Sequence, residues 1–209
     1  MFFGALPVLG LYLLYRWLRK RWVNAGDERH GERIGIVLAG ALAISSPYLV
    51  FKAYELNSIL SRVPEPLHVS WIEYRTEKAW GIGMPGDNET GFVVYRMTRE
   101  SADWAREQGQ HLGAQLPGGS TMWHQTPVDE SGVHRNWHVS NSTLGPYSHK
   151  ANLKDFLDKY GFSIPIEEGR DKEINYAIQQ PNSFYSYGGG GTVTIIDPRR
   201  GKIYFAYAG

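Results

Sequence analysis

Residues 34–51, IGIVLAGALAISSPYLVF, are eighteen predominantly apolar residues without a charge, and no other apolar run of the chain is as long. As a helix rising 1.5 Å per residue the run would reach about 27 Å, close to the hydrocarbon thickness of a bilayer. A helix buried in a globular core usually keeps a polar face. Here the polar atoms are those of Ser45, Ser46 and the Tyr48 hydroxyl, and Arg33 and Lys52 bracket the run. Gly35 and Gly40 do not have the GxxxG spacing of a dimer motif, and Pro47 would be tolerated near the end of a spanning helix. The expectation is a transmembrane helix.

Met1–Tyr15, MFFGALPVLGLYLLY, is also free of charge, and it is followed by Arg16, Trp17, Leu18, Arg19, Lys20 and Arg21. A secretory signal peptide carries its positive charges before the apolar stretch, so the order is wrong for one. With Arg16 snorkelling and Trp17 at the interface, the run is extended to about eighteen residues. The connecting segment holds Arg19, Lys20, Arg21, Arg29 and Arg33. Short basic loops stay on the cytoplasmic side. The pattern predicts an N-terminal transmembrane helical hairpin whose partner is the lipid bilayer. It would be set in a bacterial inner membrane with the C-terminal domain in the periplasm. The expected organisation is a two-helix anchor over 1–53, a connector over 54–67 stopped by Pro64 and Pro66, and an α+β domain over 68–209. That domain would have about 140 residues, an ordinary single-domain size.

Within it, Val69–Tyr74, Trp80–Met84 and Gly91–Met97 read as strands, the last two joined by PGDNET. Thr98 caps a helix whose stripe is Ala102, Ala105, Gly109, Leu112 and Leu116, ended by Pro117-Gly118-Gly119. His134–Val139 reads as a strand and Ser148–Tyr160 as a helix. Gly161 stands at the left-handed position beyond that helix, and Phe162 is placed to fold back on Leu157. Asp171–Gln179 reads as a third helix. Thr192–Ile196 and Lys202–Ala208 flank Asp197-Pro-Arg-Arg-Gly201 as a terminal hairpin. Strands, helix, irregular part, helix and strands predict a largely antiparallel sheet with two to three helices.

A net charge of +1 gives no reason to expect a nucleic acid partner, and the absence of cysteine excludes disulfides and thiolate chemistry. His134 and His138 share a face on a helix or a strand. On a strand they lie about 13 Å apart, too far to hold one ion. Gly188–Gly191 lacks the lysine of a phosphate loop, and Asp87, Asn88 and Glu89 lack the spacing of a calcium loop. Neither a cofactor nor a metal is implied, and no catalytic residue is assigned. A hydrolase site would have to be assembled from His124, His134, His138 and Asp129. Seven tryptophans and 13% aromatic residues suit a packed domain with recognition loops. Trp123 is the tryptophan expected to be partly exposed, and Trp123, Tyr185 and Tyr187 are the residues expected to meet a protein partner.

Trp80-Gly-Ile-Gly-Met-Pro-Gly-Asp-Asn-Glu-Thr-Gly-Phe-Val-Val-Tyr95 and Ile195-Ile-Asp-Pro-Arg-Arg-Gly-Lys-Ile-Tyr-Phe205 resemble segments of uncharacterised proteobacterial membrane-anchored proteins. Some relatives accompany secreted toxins. The resemblance implies a bacterial source and covers about 40 residues, well short of a domain. It carries no catalytic motif. The expected function is therefore a membrane-anchored periplasmic protein-binding module, such as an immunity protein against a secreted toxin. The alternatives are an accessory subunit of a cell-envelope complex and a hydrolase.

Overall fold

The computed structural model describes Arg16, Trp17, Lys20 and residues 28–80, 88–128, 150–161 and 163–209. Within the first helix it describes the surroundings of Gly40 and the side chains from Ser45 on. The chain divides into one unit ending at Arg62 and a second running from Val63 to Gly209.

In the first unit, helix α1 runs from Glu28 to Leu60 and passes through Pro47. Among the described residues no helix is long and apolar enough to cross a membrane. This overturns the transmembrane helical hairpin as expected, while its first run, Met1–Tyr15, lies outside the described residues. The physical reason lies in the sequence of the described side chains. Between Ser45 and Leu60 the apolar residues are interrupted by Ser45, Ser46, Lys52, Glu55, Asn57 and Ser58, and Lys52 pairs with Glu55 at 2.8 Å. Tyr54–Leu60, the first part of the expected connector, continues the helix.

The second unit is built on one six-stranded sheet. Its strands are β1 (Val69–Trp80), β2 (Asn88–Met97), β3 (His124–Gln125), β4 (Phe184–Gly188), β5 (Thr192–Asp197) and β6 (Lys202–Ala208). They stand in the order β1-β2-β6-β5-β4-β3, and every neighbouring pair is antiparallel. The strand expected over 69–74 runs on to Trp80, and residues 81–84 of the strand expected at Trp80–Met84 lie outside the described residues. Phe184–Gly188, which holds the expected contact residues Tyr185 and Tyr187, is a strand whose pattern FYSYG alternates too weakly to be seen without its neighbours.

Between β2 and β3 lie helix α2 (Arg99–Gln108), a 3₁₀ turn at Gly109–His111, α3 (Leu112–Gln115) and α4 (Gly119–Met122). Thr98 caps α2, its hydroxyl accepting from the Ser101 amide at 3.2 Å. Ala102, Ala105, Leu112 and Leu116 of the expected stripe are buried, whereas Gly109 is exposed at φ 52° and the expected single helix breaks there. Between β3 and β4 lie α5 (Leu153–Leu157), a 3₁₀ turn at Asp158–Tyr160 and α6 (Arg170–Gln179). The helix expected from Ser148 starts at Leu153, because Asn152 is extended and its side chain caps the Asp155 amide at 3.0 Å. Gly161 has φ 81° as the left-handed terminator. The strand at His134–Val139 and the contact of Phe162 lie outside the described residues.

The sheet is covered on both faces. Phe92, Val94, Tyr185, Val193, Ile195 and Tyr204 form a core with α5 and α6 residues Leu153, Phe156, Leu157, Ile174 and Ile178. Each of these large apolar side chains contributes about 1.5–3 kcal/mol by leaving water. Alternation along the strands turns Val93, Tyr95, Ile196, Ile203 and Phe205 to the other face. On that face Phe184 meets α3, packing closely against Gly113. Glu77, Gly91 and Tyr207 are direct neighbours on three strands. The Tyr207 ring crosses over Gly91, where any side chain would collide with it, and its hydroxyl donates to Glu77 at 2.9 Å.

Candidate binding cleft

The Pro117-Gly118-Gly119 turn reverses the chain after α3 and brings α4 back, so that Trp123 returns against it. Its indole Nε1 donates to the Pro117 carbonyl at 3.0 Å. Trp123 is 7% exposed, so the residue expected to be partly exposed is instead largely buried. It forms the floor of a cleft rather than a projecting anchor.

That cleft has a volume of about 410 Å³ and is lined by Gln110, Ser120, Trp123, His124, Gln125 and Tyr185, among others. β3 supplies the rim. His124 stands opposite Tyr185 in the ladder, with ring centroids 5.4 Å apart. The next residue, Thr126, locks the rim to the start of β4. Its amide donates to the Ser183 carbonyl at 2.9 Å and its hydroxyl to the Gln180 carbonyl at 2.6 Å. Tyr187 stands edge-on to Tyr185 at 5.5 Å and is partly buried against the core. The structure therefore gathers Trp123 and Tyr185 in one cleft, with Tyr187 behind Tyr185. Of the residues proposed for a hydrolase, His124 is on the rim, while Asp129, His134 and His138 lie outside the described residues. Among the described residues no group of three acidic or histidine side chains is placed to hold a metal ion.

A second polar feature is a partly buried ion network, centred on the buried Lys202, that the sequence did not suggest. The ladder between β1 and β2 shifts register between Ile72 and Tyr74, and this bulge re-aims Glu73. Its carboxylate pairs with Arg96 at 2.8 Å, Arg170 at 2.5 Å and Lys202 at 2.8 Å. Lys202, with its side chain 5% exposed, also donates to Glu173 at 2.7 Å and 2.8 Å. Arg170 is further fixed over the Tyr74 ring. Nearby, the buried Asp197 accepts from Arg200 at 2.8 Å. Burial first, and then the charges of Glu173 and Asp197, push the Tyr204 phenol well above its usual range, with Arg200 opposing. Its hydroxyl is buried without a hydrogen-bond partner among the described residues. Every strong donor in the network meets a carboxylate, which marks it as a clamp between β1, β2, β6 and α6.

Burial alone would raise the Glu73 carboxyl, but hydrogen bonds from Lys202 and Arg170 and the charges of Lys202 and Arg96 win, holding it at about 2 against an ordinary 4.5. A depressed carboxylate stabilises the fold above its unfolded-state value, and that contribution is lost as pH falls through the folded one. The unit should therefore lose on the order of 2–3 kcal/mol from this group between about pH 5 and about pH 2. Urea midpoints for the protein and for Glu73→Gln, taken at pH 7 and at pH 3, check this. The variant should start lower and change less with pH, and equal changes in the two proteins would assign the acid sensitivity elsewhere.

No family model matches the chain, and no solved structure matches it. A curated protein from Paracoccidioides brasiliensis (strain Pb18), described as a probable dipeptidyl-aminopeptidase B, is 30% identical over 90 residues, which is 41% of this chain. The chain spans only 10% of the length of that relative.

Proposed function

We propose that the sheet unit is a protein-binding module that receives its partner at the cleft between α3, α4 and the β3–β4 edge. The observation that carries this reading is the composition of the cleft wall. Buried aromatic rings of Trp123 and Tyr185 form a rigid base, and exposed His124, Gln110 and Gln125 surround it with adaptable hydrogen-bonding groups. Rigid aromatic anchors ringed by polar side chains are the composition of recognition surfaces. The narrower reading, in which the partner is a secreted toxin and the chain its immunity protein, rests on the resemblance of Trp80–Tyr95 and Ile195–Phe205.

A photo-crosslinking residue at position 124 tests the module directly. Irradiation of the source cells should give one discrete adduct with a second protein. The same residue at Lys172, exposed on α6, should give none. If position 124 forms no adduct, or both positions form the same one, the cleft is not the contact surface.

A further inference from the structure

Beside the cleft lies a second hollow of about 230 Å³, lined by Arg106, Arg199, Gln110, Gln125, Asn182 and Phe184, among others. Gln110, Gln125 and Phe184 line both hollows, so the two adjoin. We propose that the space between Arg106 and Arg199 anchors a carboxylate carried by an extended acidic peptide segment of the partner, with the adjoining residues of that segment running over Gln110 and Gln125 toward Trp123. This deepens the protein-binding reading and rests on it.

Three observations support the assignment. The first is charge. Arg99 and Arg106 share Asp103, at 3.8 Å and 2.5 Å. Arg199 and Arg200 share Asp197, at 3.9 Å and 2.8 Å. Arg99, Arg106, Arg199 and Arg200 thus share Asp103 and Asp197, Glu173 adds its charge at Arg200, and Asp197 is committed to Arg200. The second is preorganisation. Arg106 Nε donates to the Pro198 carbonyl at 3.1 Å, and Arg199 lies over the Tyr176 ring at 5.5 Å. Guanidinium groups already fixed lose less freedom when they grip an anion, and their planar forks match a carboxylate. The third is the path. Gln125 Nε2 donates to the Gln110 carbonyl at 3.0 Å. That bond leaves the Gln125 carboxamide oxygen and the Gln110 carboxamide to pair with the amides and carbonyls of an extended chain. A free inorganic anion would use the arginine end alone, whereas a polypeptide uses both hollows.

The test is selection of a random heptapeptide phage library on the full-length protein, in parallel with Arg199→Glu. Arg199 is 40% exposed at a turn, and thermal melts would establish that the variant folds. Selected peptides should concentrate Asp or Glu at one position, and a resynthesised peptide should bind at least about tenfold more weakly when that residue becomes Asn or Gln. Arg199→Glu should shift the enriched position toward Lys or Arg. Inorganic phosphate at millimolar concentration should displace the peptide no better than an equal ionic strength of chloride. Selection without an acidic position, equal binding to Arg199→Glu, or specific displacement by phosphate would overturn the proposal. The crosslink from position 124 would stand or fall separately, since it does not depend on the arginines.

Discussion

Lys202→Ala should cost the sheet unit about 3–5 kcal/mol, because it removes the cation that two inward-facing carboxylates share. The ammonium bridges Glu73 and Glu173 with its side chain only 5% exposed. After truncation Glu73 keeps Arg96 and Arg170, whereas the remaining pairing of Glu173 is to Arg170 at 3.9 Å. The larger share of the penalty should therefore come from Glu173. For a unit of this size the melting temperature should fall by about 10 °C. Two further variants separate charge from packing. Lys202→Met retains the aliphatic stem and should melt nearly as low as Lys202→Ala. Lys202→Met combined with Glu173→Gln should recover part of the loss. If Lys202→Met alone melts like the parent protein, the network contributes packing rather than electrostatics.

Gly191→Ala should be comparably damaging, by about 2–4 kcal/mol, for a reason held entirely in the backbone. Gly191 has φ +70° at the end of the β4–β5 turn, and a Cβ there would overlap the Ala208 carbonyl oxygen. The Gly191 carbonyl in turn accepts from the Ala208 amide at 3.0 Å, so the turn and the chain end cannot move apart without losing a bond. Gly189, two residues earlier, meets nothing within 4 Å among the described residues. Gly189→Ala should therefore stay within about 0.5 kcal/mol of the parent. Equal denaturation midpoints for the two variants would refute this account. The run of four glycines thus divides into positions held by different constraints.

Elements with a strong local signal were legible in the sequence. Thr98 as a cap, the burial of Ala102, Ala105, Leu112 and Leu116 though not of Gly109, Gly161 as a terminator, and the helix over Asp171–Gln179 follow from contacts within about four residues. Antiparallel pairing of β5 and β6 was legible because Asp197-Pro-Arg-Arg-Gly201 both breaks and reverses the chain. The uncharged run at Ile34–Phe51 does not form a helix of its own. α1 extends through it to Leu60, and Lys52, Glu55, Asn57 and Ser58 belong to the same helix.

The site shows the same division more sharply. The sequence singled out Trp123, Tyr185 and Tyr187 by residue type, but not their environment. Trp123 is the buried floor because Pro117 lies six residues back and accepts its indole proton. Tyr185 reaches His124 only because β3 and β4, separated by about sixty residues of chain, pair at the sheet edge. Glu73 and Lys202 looked like ordinary strand residues. A bulge in β1 and 129 residues of separation bring them to 2.8 Å. What the sequence by itself determined is the set of local caps, turns and periodic stripes, whose energies arise between near neighbours. What only the tertiary structure decided is which side chains are buried together and which charges face one another, because those depend on strand order and register, and pairings between distant strands leave no mark in a single sequence.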